Sequence, residues 1–440
     1  MSCTVGFISL GCAKNQIDCE QMMFLLVQAG YKLAPAPEEA DLVVINTCGF
    51  IDAAKSEAID NILRAAQWKA EGSVRKILVT GCLAQRYQDE ILTELPEVDG
   101  ILGTGSYYDI VSAAEQVMRD EAVERFGSID APVRECNRVV TTPRHYAYMK
   151  IAEGCDNRCA FCVIPSLRGR YRSRKMEDCV AEAEALAAAG VRELIVVAQD
   201  TSRYGVDLYG KPMLHELLRR FCRVEGLHWI RVHYTYPDEL TDELIDVIAE
   251  EPKIVKYLDI PIQHVNDGIL RAMHRRGSKA FLEEVLLPKL RSRIPGLVIR
   301  TSLITGLPGE GEAEFDELCD FLRRHRLERV GVFPFSPEEG TPAARMDYPD
   351  AEIAERRAGF VAELQSEIID EYNERFFDRE LEVLVDDWDG ECYIGRTYAD
   401  SPGIDGQVRF TSEQEHRPGD FVQVVILGAE DGEFIGREAD

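Results

Sequence analysis

No apolar run in the 440-residue sequence approaches the roughly 18–20 residues a helix needs to cross a bilayer. The opening residues, MSCTVGFISLGC, lack a basic flank, and their apolar stretch is too short for a secretory signal. A protein of the cytoplasm, with no membrane contact, is expected. Internal repeats and low-complexity tracts are also missing, which sets aside solenoids and fibrous chains. Basic residues are in short supply: 50 Lys and Arg stand against 78 Asp and Glu, a formal charge of −28. A field of that sign repels phosphate backbones and speeds encounter with basic partners. It argues against a general nucleic-acid binder, unless a local basic patch overrides it.

What is present describes a globular protein. The chain is 45% hydrophobic and 29% charged, sufficient for real cores. Its length suits about three domains. Thirteen cysteines, an odd number, with no export signal, read as reduced thiols and metal ligands rather than a disulfide framework.

The first part alternates strand and helix patterns. VGFISL, DLVVINT and KILVTG are short β-branched apolar runs, and KNQIDCEQMMFLLVQAG, AAKSEAIDNILRAAQWKA and AQRYQDEILTEL follow them with helical spacing. Such alternation predicts an N-terminal α/β domain, residues 1–135, with a parallel sheet covered on both faces. Six more strand candidates follow over residues 141–372: AYMKIA, ELIVVAQ, WIRVHY, YLDIPIQ, VIRTSLITG and RVGVFPFS. Six β/α units predict a partial (β/α)6 barrel rather than the eight-fold closed one. From residue 373 to 440 the helical patterning stops, and short strands punctuated by Gly, Pro and Asp predict a small antiparallel β-barrel.

Cys155, Cys159 and Cys162 form CxxxCxxC just after the first barrel strand. Three thiolates on one loop can hold three irons of a [4Fe-4S] cluster and leave the fourth open to chemistry. A structural zinc site completed by a residue such as His145 is the competing reading. Cys12, Cys48 and Cys82 each follow a predicted parallel strand, at the end where open α/β sheets bind ligands. They offer either a second three-thiolate set or three small buried core residues. The remaining cysteines show no such placement.

Together these residues resemble the radical S-adenosylmethionine methylthiotransferases, over essentially the whole chain. The CxxxCxxC with an aromatic before its last cysteine, Phe161, is similar to the superfamily signature. GCAKNQIDCE, INTCGF and the TGC ending at Cys82 resemble the family's three-cysteine domain, and the C-terminus resembles a TRAM domain. Of two bacterial branches, one modifies N6-isopentenyladenosine in tRNA and the other an aspartate of ribosomal protein uS12. IPSLRGRYRSR, AQDTSRYG, WIRVHYTYPDEL and LDIPIQHVNDGILRAMHRRG resemble the ribosomal-protein branch.

The resemblance implies two [4Fe-4S] clusters, on Cys155/Cys159/Cys162 and on Cys12/Cys48/Cys82, with S-adenosylmethionine bound at the first. A deoxyadenosyl radical then takes hydrogen from the aspartate β-carbon, and methylated sulfur from the second cluster replaces it. Phe161 would contact the adenine and Gln199 the methionine or ribose portion, with Gly306 and Gly309 in the loop against the adenosine. It also implies uS12, free or in the small ribosomal subunit, as substrate, and an electron donor such as flavodoxin or ferredoxin; a monomer is the default expectation.

Two charge features remain. PSLRGRYRSRK carries Arg168, Arg170, Arg172, Arg174 and Lys175 with no acid, and reads as an anion contact, an RNA contact or a solvated loop. Residues 373–440 hold 6 Arg, no Lys and 18 acids, a net charge of −12. A barrel this acidic should repel tRNA and attract a basic ribosomal protein.

Overall fold

The computed structural model describes residues 3–439. Its first strands are β1 (Thr4–Ser9), β2 (Lys32–Leu33), β3 (Leu42–Thr47), β4 (Lys76–Gly81), β5 (Gly100–Leu102) and β6 (Val123–Arg125). They form one parallel sheet in the order β2-β1-β3-β4-β5-β6. Every residue of β3 is buried, as expected for a central strand covered on both faces. Because side chains alternate along a strand, β3 feeds two cores. Leu42 and Val44 pack with Val5, Cys19, Met22 and Leu26 on one side. Val43 and Ile45 pack with Ala58, Ile62 and Ala65 on the other. The helices Ala13–Gln28 and Asp52–Glu71 supply those faces. The stretch read as one helix after β4 is two, Cys82–Tyr87 and Asp89–Glu94, divided at Gln88 with φ 37°.

Two compact units account for the chain. The first takes in everything up to Thr141 together with Ala152–Arg174 and Ser336–Ala344. The second holds Thr142–Ile151, Lys175–Phe335 and the chain from Arg345 on. The strand β7 (Tyr146–Lys150) thus belongs to the second unit, and the hairpin of β8 (Ala152–Glu153) and β9 (Arg172–Ser173) to the first.

In the second unit β7 is joined by β10 (Glu193–Val197), β11 (Trp229–Val232), β12 (Ile254–Asp259), β13 (Val298–Thr305) and β14 (Arg329–Pro334). These are the six anticipated strands, parallel and in sequential order, with β7 and β14 as open edges. The partial barrel is therefore as expected. After the helix Ala351–Glu374 come β15 (Glu380–Trp388), β16 (Tyr393–Arg396), β17 (Val408–Thr411), β18 (Phe421–Glu430) and β19 (Glu433–Glu438). They close into a barrel ordered β15-β16-β17-β19-β18. All its pairs are antiparallel except β17–β19. Five strands cannot alternate direction all the way round a closed ring, so one parallel pair is required.

The small barrel seats on the six-stranded sheet through buried ions. Glu193 accepts from Arg231 Nε and from Arg396 Nη1, each at 2.7 Å. Arg329 donates to Asp400 at 2.8 Å, and the Tyr257 hydroxyl donates to Asp405 at 2.7 Å. Part of the acidic charge counted in the sequence therefore points inward and is neutralised.

Among the described residues no helix is long and apolar enough to cross a membrane.

Candidate functional site

The first unit gathers both cysteine sets. Cys12 caps the helix Ala13–Gln28, Cys48 directly follows β3, and Cys82 opens the helix Cys82–Tyr87 after β4. The strand ends bring them together because β1, β3 and β4 are adjacent and in register. Two glycines are needed for that approach. A Cβ on Gly11 would stand 2.7 Å from Cys48 Cβ and 2.9 Å from its Sγ. A Cβ on Gly81, at φ 95°, would stand 2.5 Å from the Thr47 carbonyl.

Burial raises the Cys48 thiol to about 11, and the charges of Cys82 and Cys12 push the same way. Burial also raises Cys82, opposed by the positive charge of Arg168. Neither group ionises readily without a cation, as is usual for cysteines awaiting a metal.

Gly81→Ala tests the close packing. It combines a positive φ with a backbone collision, so a stability loss at the upper end of about 1–3 kcal/mol is expected. Gly72→Ala, at φ 84° with nothing within 4 Å of the new Cβ, should cost only about 1 kcal/mol. Urea titration of both proteins measures the difference; equal losses would mean that the strand ends adjust freely.

The second set lies on the loop between β8 and β9. Cys155 N–H donates to the Gly169 carbonyl at 3.1 Å, and Cys162 N–H to the Cys159 carbonyl at 3.0 Å. Ala343 N–H donates to the Ala160 carbonyl at 2.9 Å, tying Ser336–Ala344 to the middle of the cysteine loop. Phe161 is half-buried within that loop.

Arg168 links the two sets. It lies six residues after Cys162, is almost fully buried, and its Nε donates to Cys82 Sγ at 3.4 Å. Its terminal nitrogens reach the Asp18 carboxylate, Glu153 Oε2 at 3.5 Å and Asn15 Oδ1 at 2.8 Å. Asn15 also donates to the Leu10 carbonyl at 2.7 Å, and Asn46 donates back to the Asn15 carbonyl at 2.6 Å. Elsewhere in the basic stretch, Arg174 pairs with Glu135 at 2.5 Å and the Arg170 amide donates to Asp130. Arg168 and Arg174 are therefore buried in ion pairs, whereas Arg170 and Lys175 of the same stretch are exposed. Sequence reading did not single out Asn15, Asp18 or Glu153; the only local sign is that Asn15 and Asp18 recur at i, i+3 on one helix face.

In the second unit, Gln199 is half-buried beyond the end of β10. Gly306 (φ 76°) has Ala354 2.4 Å from where its Cβ would be, so helix packing explains the absent side chain. Gly309 (φ 87°) has nothing within 4 Å and leaves its backbone open. His145 is buried with its Nε2 2.7 Å from Asp386. His264 is buried 3.2 Å from Glu310 and accepts from the Asn266 amide at 3.0 Å, a structural arrangement. Of the second basic group, Arg275 covers Tyr236 at 4.0 Å and Arg276 reaches Glu239 at 2.6 Å.

Both donor sets are soft sulfur, which suits iron–sulfur clusters, and no described cysteine is in a disulfide. No three His, Cys, Asp or Glu side chains among the described residues converge on one ion. Ligands of a four-iron cluster bind different irons and need not converge so closely. The residues present fit the group.

Residues 4–103 match the model of an uncharacterized protein family, UPF0004, residues 149–322 that of the radical SAM superfamily, and residues 379–438 that of the TRAM domain. Ribosomal protein uS12 methylthiotransferase RimO of Symbiobacterium thermophilum is 47% identical over 444 residues, covering 99% of this chain and 91% of that protein. The protein of the same name from Lachnoclostridium phytofermentans is 48% identical over 437 residues, covering 98% and 99%. Among solved structures, the radical S-adenosylmethionine methyltransferase TsrM from Kitasatospora setae, with cobalamin and [4Fe-4S] cluster bound, aligns with a TM-score of 0.59 at 14% identity. That alignment covers 78% of this chain and 74% of the other, and it speaks for the fold alone.

Proposed function

The chain belongs to the ribosomal protein uS12 methylthiotransferase family, and from that membership we propose that it is a radical S-adenosylmethionine enzyme methylthiolating an aspartate β-carbon of uS12. One S-adenosylmethionine serves methylation and another radical generation. The observation that carries this reading is the presence of two three-cysteine sets in one compact unit, joined by Arg168. Cys155, Cys159 and Cys162 hold one [4Fe-4S] cluster and Cys12, Cys48 and Cys82 a second, each leaving one iron without a protein ligand. When bound, the clusters and S-adenosylmethionine supply the radical that breaks an unactivated C–H bond, and the sulfur that replaces the hydrogen.

The chain's own residues hold and shield that chemistry. Asn15 and Asn46 lock the ends of β1 and β3 to each other, fixing the backbone on which Cys12 and Cys48 stand. Phe161 packs on the adenine, Gln199 hydrogen-bonds the methionine or ribose portion, and Gly306 and Gly309 line the adenosine loop. Gly309 carries the stronger case of the two glycines, since its backbone is open. The domains divide at 1–135, 141–372 and 373–440, and the enzyme works in the cytoplasm as a monomer. An electron donor such as flavodoxin or ferredoxin reduces it. The acidic terminal barrel favours a basic protein substrate over tRNA.

Deletion of the gene and mass spectrometry of both candidate substrates test the proposal. The methylthio group should vanish from uS12 and remain on tRNA, and a plasmid copy should restore it. Loss from tRNA alone would transfer the assignment to the nucleic-acid branch.

A further inference from the structure

Arg168 has a placement that neither cluster alone explains. It stands on the β8–β9 hairpin that carries Cys155, Cys159 and Cys162, yet its guanidinium is spent on the other cysteine set. The Nε–H points at Cys82 Sγ, 3.4 Å away. Asp18, Glu153 and Asn15 receive the terminal nitrogens. A guanidinium is planar, so fixing both terminal nitrogens also fixes the direction of Nε–H. Cys82, Val163 and Leu167 form a small buried cluster, and Arg168 is itself buried. In such surroundings a hydrogen bond from a permanent cation to a sulfur is strengthened.

We propose that Arg168 is a positioning residue that donates a hydrogen bond to the Cys82 sulfur and thereby tunes the reduction potential of the cluster held by Cys12, Cys48 and Cys82. This rests on the assignment of a cluster to those three cysteines. A reduced cluster carries one more negative charge than an oxidised one, so a cationic donor on a ligand sulfur favours reduction. Its removal lowers the potential of that cluster and leaves the other unaltered. Asp18 and Asn15 act through Arg168, by holding its plane. Lysine keeps the charge but has no planar fork, and cannot satisfy Asp18, Asn15 and Cys82 at once.

The test uses the full-length protein, anaerobically reconstituted, in a background with Cys155, Cys159 and Cys162 replaced by alanine so that only the second cluster is read. About four irons per chain in that background confirm the cluster assignment; no iron there refutes the assignment itself, separately from the role of Arg168. Electron paramagnetic resonance at controlled potential then compares Arg168→Met and Arg168→Lys with the parent. The expected result is full iron with the reduction equilibrium at least tenfold less favourable in Arg168→Met, about 59 mV for one electron, and a smaller shift in Arg168→Lys. Full iron with an unchanged potential overturns the proposal. Should Arg168→Met lose iron, Arg168→Lys decides: a lowered potential supports the proposal, and an unaltered potential, or iron loss accompanied by a lost circular dichroism signal, reduces Arg168 to a folding role. Iron loss from both variants with the fold intact overturns the tuning role and leaves Arg168 as a residue needed only to hold the cluster.

Discussion

Replacing Cys159 by alanine is expected to abolish deoxyadenosine formation from S-adenosylmethionine, whereas replacing Cys48 should leave it intact and abolish methylthiolation of uS12. The difference follows from the proposed assignment of one cluster to each cysteine set. Three thiolates per cluster leave no spare, so losing one leaves two irons without a protein ligand. Anaerobic reconstitution should give about eight irons per chain in the parent and about four in either variant. The activities then divide: the Cys48 variant still cleaves S-adenosylmethionine but has no sulfur to transfer, and the Cys159 variant cannot begin. Cys179, buried in the helix Met176–Ala188 of the second unit, supplies the control, and its replacement by alanine should keep the full iron count. A Cys48→Ala protein that retains about eight irons and modifies uS12 would remove the strand-end cysteines from the site.

The strand-end placement of Cys12, Cys48 and Cys82 is legible because parallel strands announce themselves as short β-branched runs. What escaped sequence reading was of two physical kinds. Lys32–Leu33, Gly100–Leu102 and Val123–Arg125 are strands of two or three residues, too short to show any period, and only pairing with a long neighbour defines them. Arg168 was visible as a basic residue among basic residues, but its partners come from Asn15, Asp18, Cys82 and Glu153, up to 153 positions away. No local pattern carries that information. The acidic barrel shows the same limit: composition counted its 18 acids correctly, yet Asp386, Asp400 and Asp405 turn inward onto Arg396, Arg329 and Tyr257. The outward field is weaker than the sequence total.

That inward charge sets the largest expected effect on stability. Glu193→Ala should destabilise the second unit by about 3–5 kcal/mol, because it leaves two buried guanidiniums facing each other without their shared carboxylate. Arg231 and Arg396 are 0% and 2% exposed. Arg231 keeps only the Tyr398 carbonyl at 2.8 Å and the face of Tyr257 at 4.7 Å, while Arg396 keeps Asp386, already shared with His145. Arg409→Ala removes an ion pair of similar length, Arg409–Asp389 at 2.7 Å, but an exposed one, and should cost about 0–1 kcal/mol. Trp229, buried 4.9 Å from the Phe421 ring, reports unfolding of the joint by fluorescence in urea. Burial pushes the Glu193 carboxyl up, but Arg396 and Arg231 outweigh it and hold the group below its ordinary value. A lowered carboxyl contributes stability that is complete above the ordinary glutamate value of about 4.3 and is lost as pH falls through the lowered one. The parent should therefore lose stability in acid more steeply than Glu193→Gln, which has no proton to take up there. Parallel acid dependences in the two proteins would mean that folding leaves the proton affinity of Glu193 unchanged, and the joint would then owe its strength to packing of Trp229, Tyr257 and Phe421 rather than to charge.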